Sequence, residues 1–280
     1  METRTALIEG YSRSAPLYDQ TAGMTYLSAL WKLLPRVRVG PSPAILDVGS
    51  GTGINLLEAA RVLAPCSRLV GVDLAPGMVQ EARRKAVAAG VSATFTVGDA
   101  EHLELEDEAF DLIICNSVYH WFPDRGRAIA ELARVLRPGG QLLVNCVADP
   151  GFGEWIRAVD EVWTGLFGQA RAWLPPLPTP GELLGHLRAA GLTVEHLEYE
   201  LDPIPVQDVS AFLRTMTVIA PTWLAGVPAG GGRAVMDAMT RALAATSAGA
   251  FVVTSAGVAS VSRKPGGTPR PPAAPGAGKA

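Results

Sequence analysis

Three carboxylates, three glycines and one histidine, each set against the end of an apolar run, are the residues of this chain best placed to do chemistry. Asp47, Gly49, Gly51 and Gly53 lie in ILDVGSGTG (residues 45–53). There Ile45, Leu46 and Val48 read as a short buried strand, and the glycines let the backbone turn tightly and approach a ligand closely. Residues 54–63 read as a helix whose free N–H groups point back at that ligand. Asp73 ends a second apolar run (69–73), about 20 residues beyond the glycine turn, the spacing at which an acid holds a ribose diol. Asp99 follows a third run (93–97), and His120 follows a fourth (110–116). In open α/β sheets the crevice lies beyond the carboxyl ends of the strands. An imidazole there titrates near neutral pH and can accept a phenol or enol proton, or orient a substrate, or simply wall a pocket with its aromatic neighbours.

Two familiar glycine motifs fail at these positions. A dinucleotide fingerprint needs glycine where Ile54 or Leu56 stands, and a phosphate loop needs a lysine where the stretch from 40 to 71 has none. A ligand with a nucleoside but no polyphosphate suits such a loop. The pattern of Asp47 with Gly49, Gly51 and Gly53, followed by the acids at 73 and 99 and by Arg137-Pro138-Gly139-Gly140, resembles class I S-adenosylmethionine-dependent methyltransferases, strongly over residues 11–147.

That resemblance implies S-adenosylmethionine as cofactor. It implies that Asp73 takes the ribose hydroxyls, that Asp99 accepts from the adenine amine, and that Asn116 offers a main-chain carbonyl to the methionine amino group. Ser50, Leu74, Met78 and Ala100 complete the cofactor set. Each acid also has a structural reading: Asp73 as a helix N-cap before Ala75-Pro76, Asp99 as a turn residue. Asp111, before an apolar run, reads as a strand-entry acid. Around Tyr11, Tyr18 and Asp19 the chain resembles the N-terminal helix of the ubiquinone/menaquinone-biosynthesis and malonyl-carrier-protein methyltransferases, which closes over the cofactor's methionine end.

These side chains require an α/β fold: a Rossmann-like, seven-stranded, mostly parallel sheet with helices on both faces and a helical cap or lid. The expected organisation is a helical cap over residues 1–40 and a cofactor-binding core over 41–150. Lid insertions with the last strands follow over 151–263, then a disordered tail over 264–280 rich in proline, glycine and alanine. Phe152, Trp155, Trp163, Phe167 and Trp173 fall close together before a proline-rich stretch, and read as a lid helix and linker roofing the acceptor pocket. The resemblance implies a last strand, 251–261, arriving antiparallel at the sheet edge. The run Arg83-Arg84-Lys85 reads as the solvated face of a helix.

Composition narrows the partners. A net charge of −3 carries no basic field for nucleic acid, and no apolar stretch reaches membrane-spanning length. Cys66, Cys115 and Cys146, an odd number without paired spacing, read as buried thiols of a cytoplasmic protein, and the four histidines lack metal-ligand spacing. The expected substrate is a small apolar molecule, polyketide-like, O-methylated on an acidic hydroxyl. His120 and Tyr18 are the candidate catalytic residues, and Tyr11, Tyr119, Trp121, Trp155 and Trp173 the candidate substrate contacts. Carboxyl methylation of an acyl group on a carrier protein, C-methylation of a quinone-like ring, and a silent cofactor-binding module are the alternatives. Either a monomer or a homodimer fits.

Overall fold

A computed structural model of the chain describes residues 2–168, 175–245 and 251–266. Trp173 and residues 267–280 of the tail lie outside the described residues.

Seven strands form one sheet in the order β3-β2-β1-β4-β5-β7-β6. β1 (Ala44–Val48), β2 (Arg68–Asp73), β3 (Thr94–Val97), β4 (Phe110–Asn116) and β5 (Leu136–Val147) are parallel. Parallel neighbours need crossovers, and helices supply them. These are α2 (Ile54–Leu63), α3 (Pro76–Ala88) and α4 (Arg125–Val135). Each β1 residue is buried, as expected of a central strand covered on both faces. Asp111 accepts from the Ala44 N–H at 2.8 Å and pairs with Arg137 at 2.7 Å, which ties β4 to the start of β1.

The closing strands differ from expectation. β7 (Phe251–Arg263) is antiparallel, but it lies between β5 and β6 (Thr193–Val206), so β6 is the edge. The thirteen-residue register between β6 and β7 makes a long ribbon, and Pro203 and Pro205 on the outer strand discourage pairing with another chain.

Apolar clusters cover both sheet faces. One joins the sheet to α4 and α6 (Pro180–Ala189), and the other joins it to α2, α3 and the end of α1 (Glu2–Leu33). A third cluster stands apart. It is built by α5 (Gly153–Phe167), α7 (Val209–Ile219), α8 (Gly232–Ala245) and the far end of β7. Helix starts are marked by local chemistry: Asp124 accepts from the Arg127 N–H at 2.9 Å, Thr179 from Glu182, and Asp208 from Ala211, caps worth about 1 kcal/mol each.

The basic run turns out to be only partly a solvated face. Arg84 pairs locally with Glu81, whereas Arg83 binds the Phe95 carbonyl and Lys85 reaches Asp19 and Thr52. Cys115 and Cys146 are buried, while Cys66 is half-exposed after α2. Among the described residues no helix is long and apolar enough to cross a membrane.

Candidate functional site

A cavity of about 450 Å3 opens beyond the carboxyl ends of β1, β2 and β4. That is within the usual range for pockets that enclose a small ligand. Its floor is the glycine turn, Gly49 to Thr52; its sides come from Asp73 and Leu74, from Gly98 to Glu101, and from Asn116 to Val118. α1 lays Arg4, Leu7, Ile8, Tyr11 and Tyr18 across it, and Trp121, Phe122, Pro123, Pro175 and Pro176 complete the wall.

Asp73 organises the floor. Its carboxylate accepts from the Gly51 N–H and from the Ala75 N–H, both at 2.8 Å, so one acid braces the glycine turn and the start of α3. Burial pushes its pKa up against the opposing pull of these two N–H groups. Each oxygen still has a lone pair to offer a ligand. The expected N-cap role falls to Ala75 instead, which caps α3 without a side-chain bond, while Asp73 stands two residues earlier and accepts the N–H of that cap residue. The Gly49 and Ser50 N–H groups both donate to the Val72 carbonyl, at 2.8 and 3.0 Å, which locks the turn to β2.

Asp47 lies beneath this floor. It is fully buried, and burial followed by the nearby Asp73 charge raises its pKa well above the ordinary value, against the weaker pull of the Leu56 N–H. Gly53 likewise sits below the lining, at the start of α2 against Phe95. Asp47 and Gly53 thus lie outside the cavity lining.

At the opposite end, Asp99 accepts from the Glu101 N–H at 3.0 Å and pairs with Arg4 at 2.5 Å. Burial alone would raise its pKa, but Arg4 and that N–H bring it below the usual range. Ala100, Leu74 and Met78 line the same region. Asn116 lines the cavity with its side chain committed elsewhere. It accepts from Asn145 at 2.9 Å and donates to Asn55, itself in the lining, at 3.3 Å.

The aromatic side of the cavity is a trio. Tyr11 stands edge-on to Tyr18 at 5.9 Å and to Trp121 at 6.0 Å between centroids, and its hydroxyl donates to the Ile219 carbonyl at 2.7 Å. α1 is pinned at its other contact by Asp19, which accepts from Thr52 at 2.5 Å and pairs with Lys85.

Several expected site residues are elsewhere. His120 sits in a short 3-10 turn (Tyr119–Trp121), buried and outside the cavity lining. Burial, then the Arg125 charge beside it, lowers its pKa to about 3, so the expected neutral-pH base is not available to the cavity. Tyr119 is fully buried, bonded to His186 at 2.8 Å, and belongs to the core of the sheet. Trp155 does not roof the pocket. It stands edge-on to Trp223 and Phe212 in the third apolar cluster, because α5, α7 and α8 need a core of their own. Of the expected lid, the residues in the lining among those described are Pro175 and Pro176.

Residues missed in the sequence include Thr52, Asn55, Glu101, Val118 and Arg4. Asn55 carried a signal: it is a polar residue in the first turn of an otherwise apolar helix, and it is buried. Arg4 carried none.

The cavity fits an adenosyl group. Two acids stand where a diol and an amine could donate, and the floor has no cation for phosphate. A Cβ built on Gly51 would meet nothing within 4 Å, so the space above the turn is open to a ligand's backbone approach. Among the described residues no cluster of His, Cys, Asp and Glu is placed to hold a metal.

Comparison with known proteins agrees. A family model described as a methyltransferase domain matches residues 46–144. The chain is 30% identical over 251 residues to the malonyl-[acyl-carrier protein] O-methyltransferase of Yersinia pestis, covering 88% of this chain and 86% of that one. It is 33% identical over 267 residues to the protein of the same name from Geobacter sulfurreducens, covering 89% and 94%. Among solved structures, the [4+2]-cyclase SpnF aligns with a TM-score of 0.65 at 22% identity, over 95% of this chain and 98% of that one.

Proposed function

We propose, from the premise that this chain belongs to the S-adenosylmethionine-dependent methyltransferases, that it methylates an acceptor oxygen already ionised at neutral pH, on a small apolar molecule such as an acidic phenol or enol. One observation carries this reading. The titratable side chains lining the cavity, among the described residues, are Arg4, Asp73, Asp99, Glu101, Tyr11 and Tyr18, and each of the three carboxylates already accepts a main-chain N–H. The accepted N–H groups favour the ionised form of each carboxylate and weaken it as a base, which supports an acceptor that brings its own charge.

The cofactor when bound supplies an activated methyl group on a sulfonium. The chain's part is alignment, which can supply most of the barrier reduction. In this reading Asp73 holds the ribose hydroxyls and Asp99, shared with Arg4, takes the adenine amine. The main chain at Gly49 to Gly51 and Asn116 cradles the methionine end. Tyr18, Tyr11 and Trp121 close around the acceptor and keep water from it, with Tyr18 orienting the acceptor oxygen.

A panel of para-nitrophenol, dimedone, benzyl alcohol and malonyl-acyl carrier protein tests the reading. Turnover of the two acidic acceptors with none of benzyl alcohol is expected, and turnover of benzyl alcohol alone would contradict it. A second reading, carboxyl methylation of a carrier-bound acyl group, is favoured by the names of the two relatives that match nearly the whole chain. It shares the ionised oxygen, and turnover of the carrier protein alone would move the assignment to it.

His120 gives a pH test. Its folded pKa lies below the ordinary value of about 6.5, so the native state resists protonation there. Stability is full above that value and declines as pH falls from about 6.5 toward 3. His120→Gln is expected to flatten this decline in denaturant unfolding between pH 7 and 4, and to leave the kcat profile for para-nitrophenol without any lost inflection near neutrality. An inflection in the wild type that vanishes in the variant would restore His120 as a base.

A further inference from the structure

Arg125 opens α4, and its placement is locally unfavourable: the first turn of a helix disfavours a cation, this turn carries Arg125 and Arg127, and the carboxylate of the N-cap Asp124 is engaged by the Arg127 N–H. A residue that breaks a local preference usually answers a tertiary demand. Here the guanidinium joins three separate segments. It pairs with Glu182 of α6 at 2.8 Å, donates to the Pro176 carbonyl, and reaches the His120 carbonyl at 3.4 Å. Its side chain is only 11% exposed, and it lies over the Tyr119 ring at 5.9 Å.

The segments it joins form one wall. Pro175 and Pro176 line the cavity together with Trp121, Phe122 and Pro123. Prolines have no N–H to donate, so this strap offers its carbonyls as main-chain handles. Holding a carboxylate and two carbonyls at once takes a planar fork of several donors, which arginine has and lysine lacks. The second anchor is also on α6, where His186 receives or donates the Tyr119 hydroxyl bond.

We propose that Arg125 is a positioning residue that fixes the acceptor end of the cavity, clamping the Pro175–Pro176 strap and α6 to the turn that carries Trp121. The inference rests on the reading above that the acceptor occupies this aromatic end. None of these three bonds of Arg125 is to the glycine turn or to Asp73, so the clamp is expected to act on acceptor fit rather than on cofactor affinity.

The test compares Arg125→Gln, Arg125→Lys and Glu182→Gln by hydrogen–deuterium exchange with S-adenosylhomocysteine bound, by calorimetry with the same ligand, and by kinetics on para-nitrophenol. For Arg125→Gln, exchange over residues 117–124 is expected to speed up by about tenfold, as loss of charge-assisted bonds implies. Exchange over 45–53 should stay unchanged and ligand affinity should stay within about twofold. KM for para-nitrophenol should rise about tenfold with kcat nearly unchanged, and Arg125→Lys should recover part of it. Unchanged exchange at 117–124, or ligand affinity falling as far as KM rises, overturns the clamp. If para-nitrophenol is not turned over by the wild type, the acceptor reading fails by itself. Exchange and ligand affinity then still decide whether the clamp exists.

Discussion

Asp73→Asn should weaken S-adenosylhomocysteine binding by roughly a hundredfold or more while the protein stays folded. The carboxylate now holds the Gly51 and Ala75 N–H groups, one on each oxygen, and keeps lone pairs for a diol. Asparagine has one oxygen for both tasks and turns an NH2 toward one of the N–H groups. Hydrogen bonds to a charged group are worth about 1.5–3 kcal/mol each, so loss of two ribose contacts gives about two to four orders of magnitude in affinity. The fold should tolerate the change, because burial already works against the charged form of this acid. Calorimetry on the variant, alongside its melting curve, separates the two effects. Affinity within threefold of the wild type would remove Asp73 from the site.

Substituting Gly49 and Gly51 of the turn should give losses of stability of different size. Gly49 has φ of +65°, and a Cβ there would fall 2.5 Å from Val118 Cγ2 and 2.6 Å from its Cβ. Left-handed backbone costs about 1–2 kcal/mol for alanine and overpacking about 1–3 more, and Val118 is too stiff to yield easily. Gly49→Ala is therefore expected to lower the melting temperature by roughly 10 °C and to abolish ligand binding, since Val118 is part of the cavity wall. Gly51 has φ of +52° and open space above it. Gly51→Ala should cost only the backbone term of about 1–2 kcal/mol, a few degrees of melting temperature, yet still weaken binding by about a hundredfold where its methyl enters the cavity. Equal melting temperatures for the two variants would contradict the geometry.

What could be read from sequence, and what could not, divides along the range of the interactions. The glycine turn, Asp73 and Asp99 were legible because each ends a short apolar strand, and a parallel sheet brings all such ends to one side. Their faces follow from local chain geometry. The aromatic residues after β5 were misread for the opposite reason. Helical spacing of Trp155 and Trp163 tells that one face is buried but not against what, and the ring partners of Trp155, Phe212 and Trp223, are 57 and 68 residues away. His120 failed similarly. Its position after β4 is right for a crevice, but the short turn that carries it places Trp121 in the lining and His120 in the interior. The placement of β7 inside β6 depends on a ribbon register that no local pattern encodes. Lys85 looked like one of three solvated cations, and only the approach of α1 brings Asp19 to it.

The fold alone leaves the reaction open, as its likeness to a structure named a [4+2]-cyclase illustrates. The most direct test of methyl transfer is to incubate the protein with trideuteromethyl-labelled S-adenosylmethionine and para-nitrophenol and to follow both products by mass spectrometry. Equal amounts of S-adenosylhomocysteine and of labelled para-nitroanisole are predicted, at a rate that Asp73→Asn reduces about a hundredfold when the cofactor is scarce. Cofactor that binds the wild-type protein but is never consumed, across every acceptor of the panel, would contradict the account.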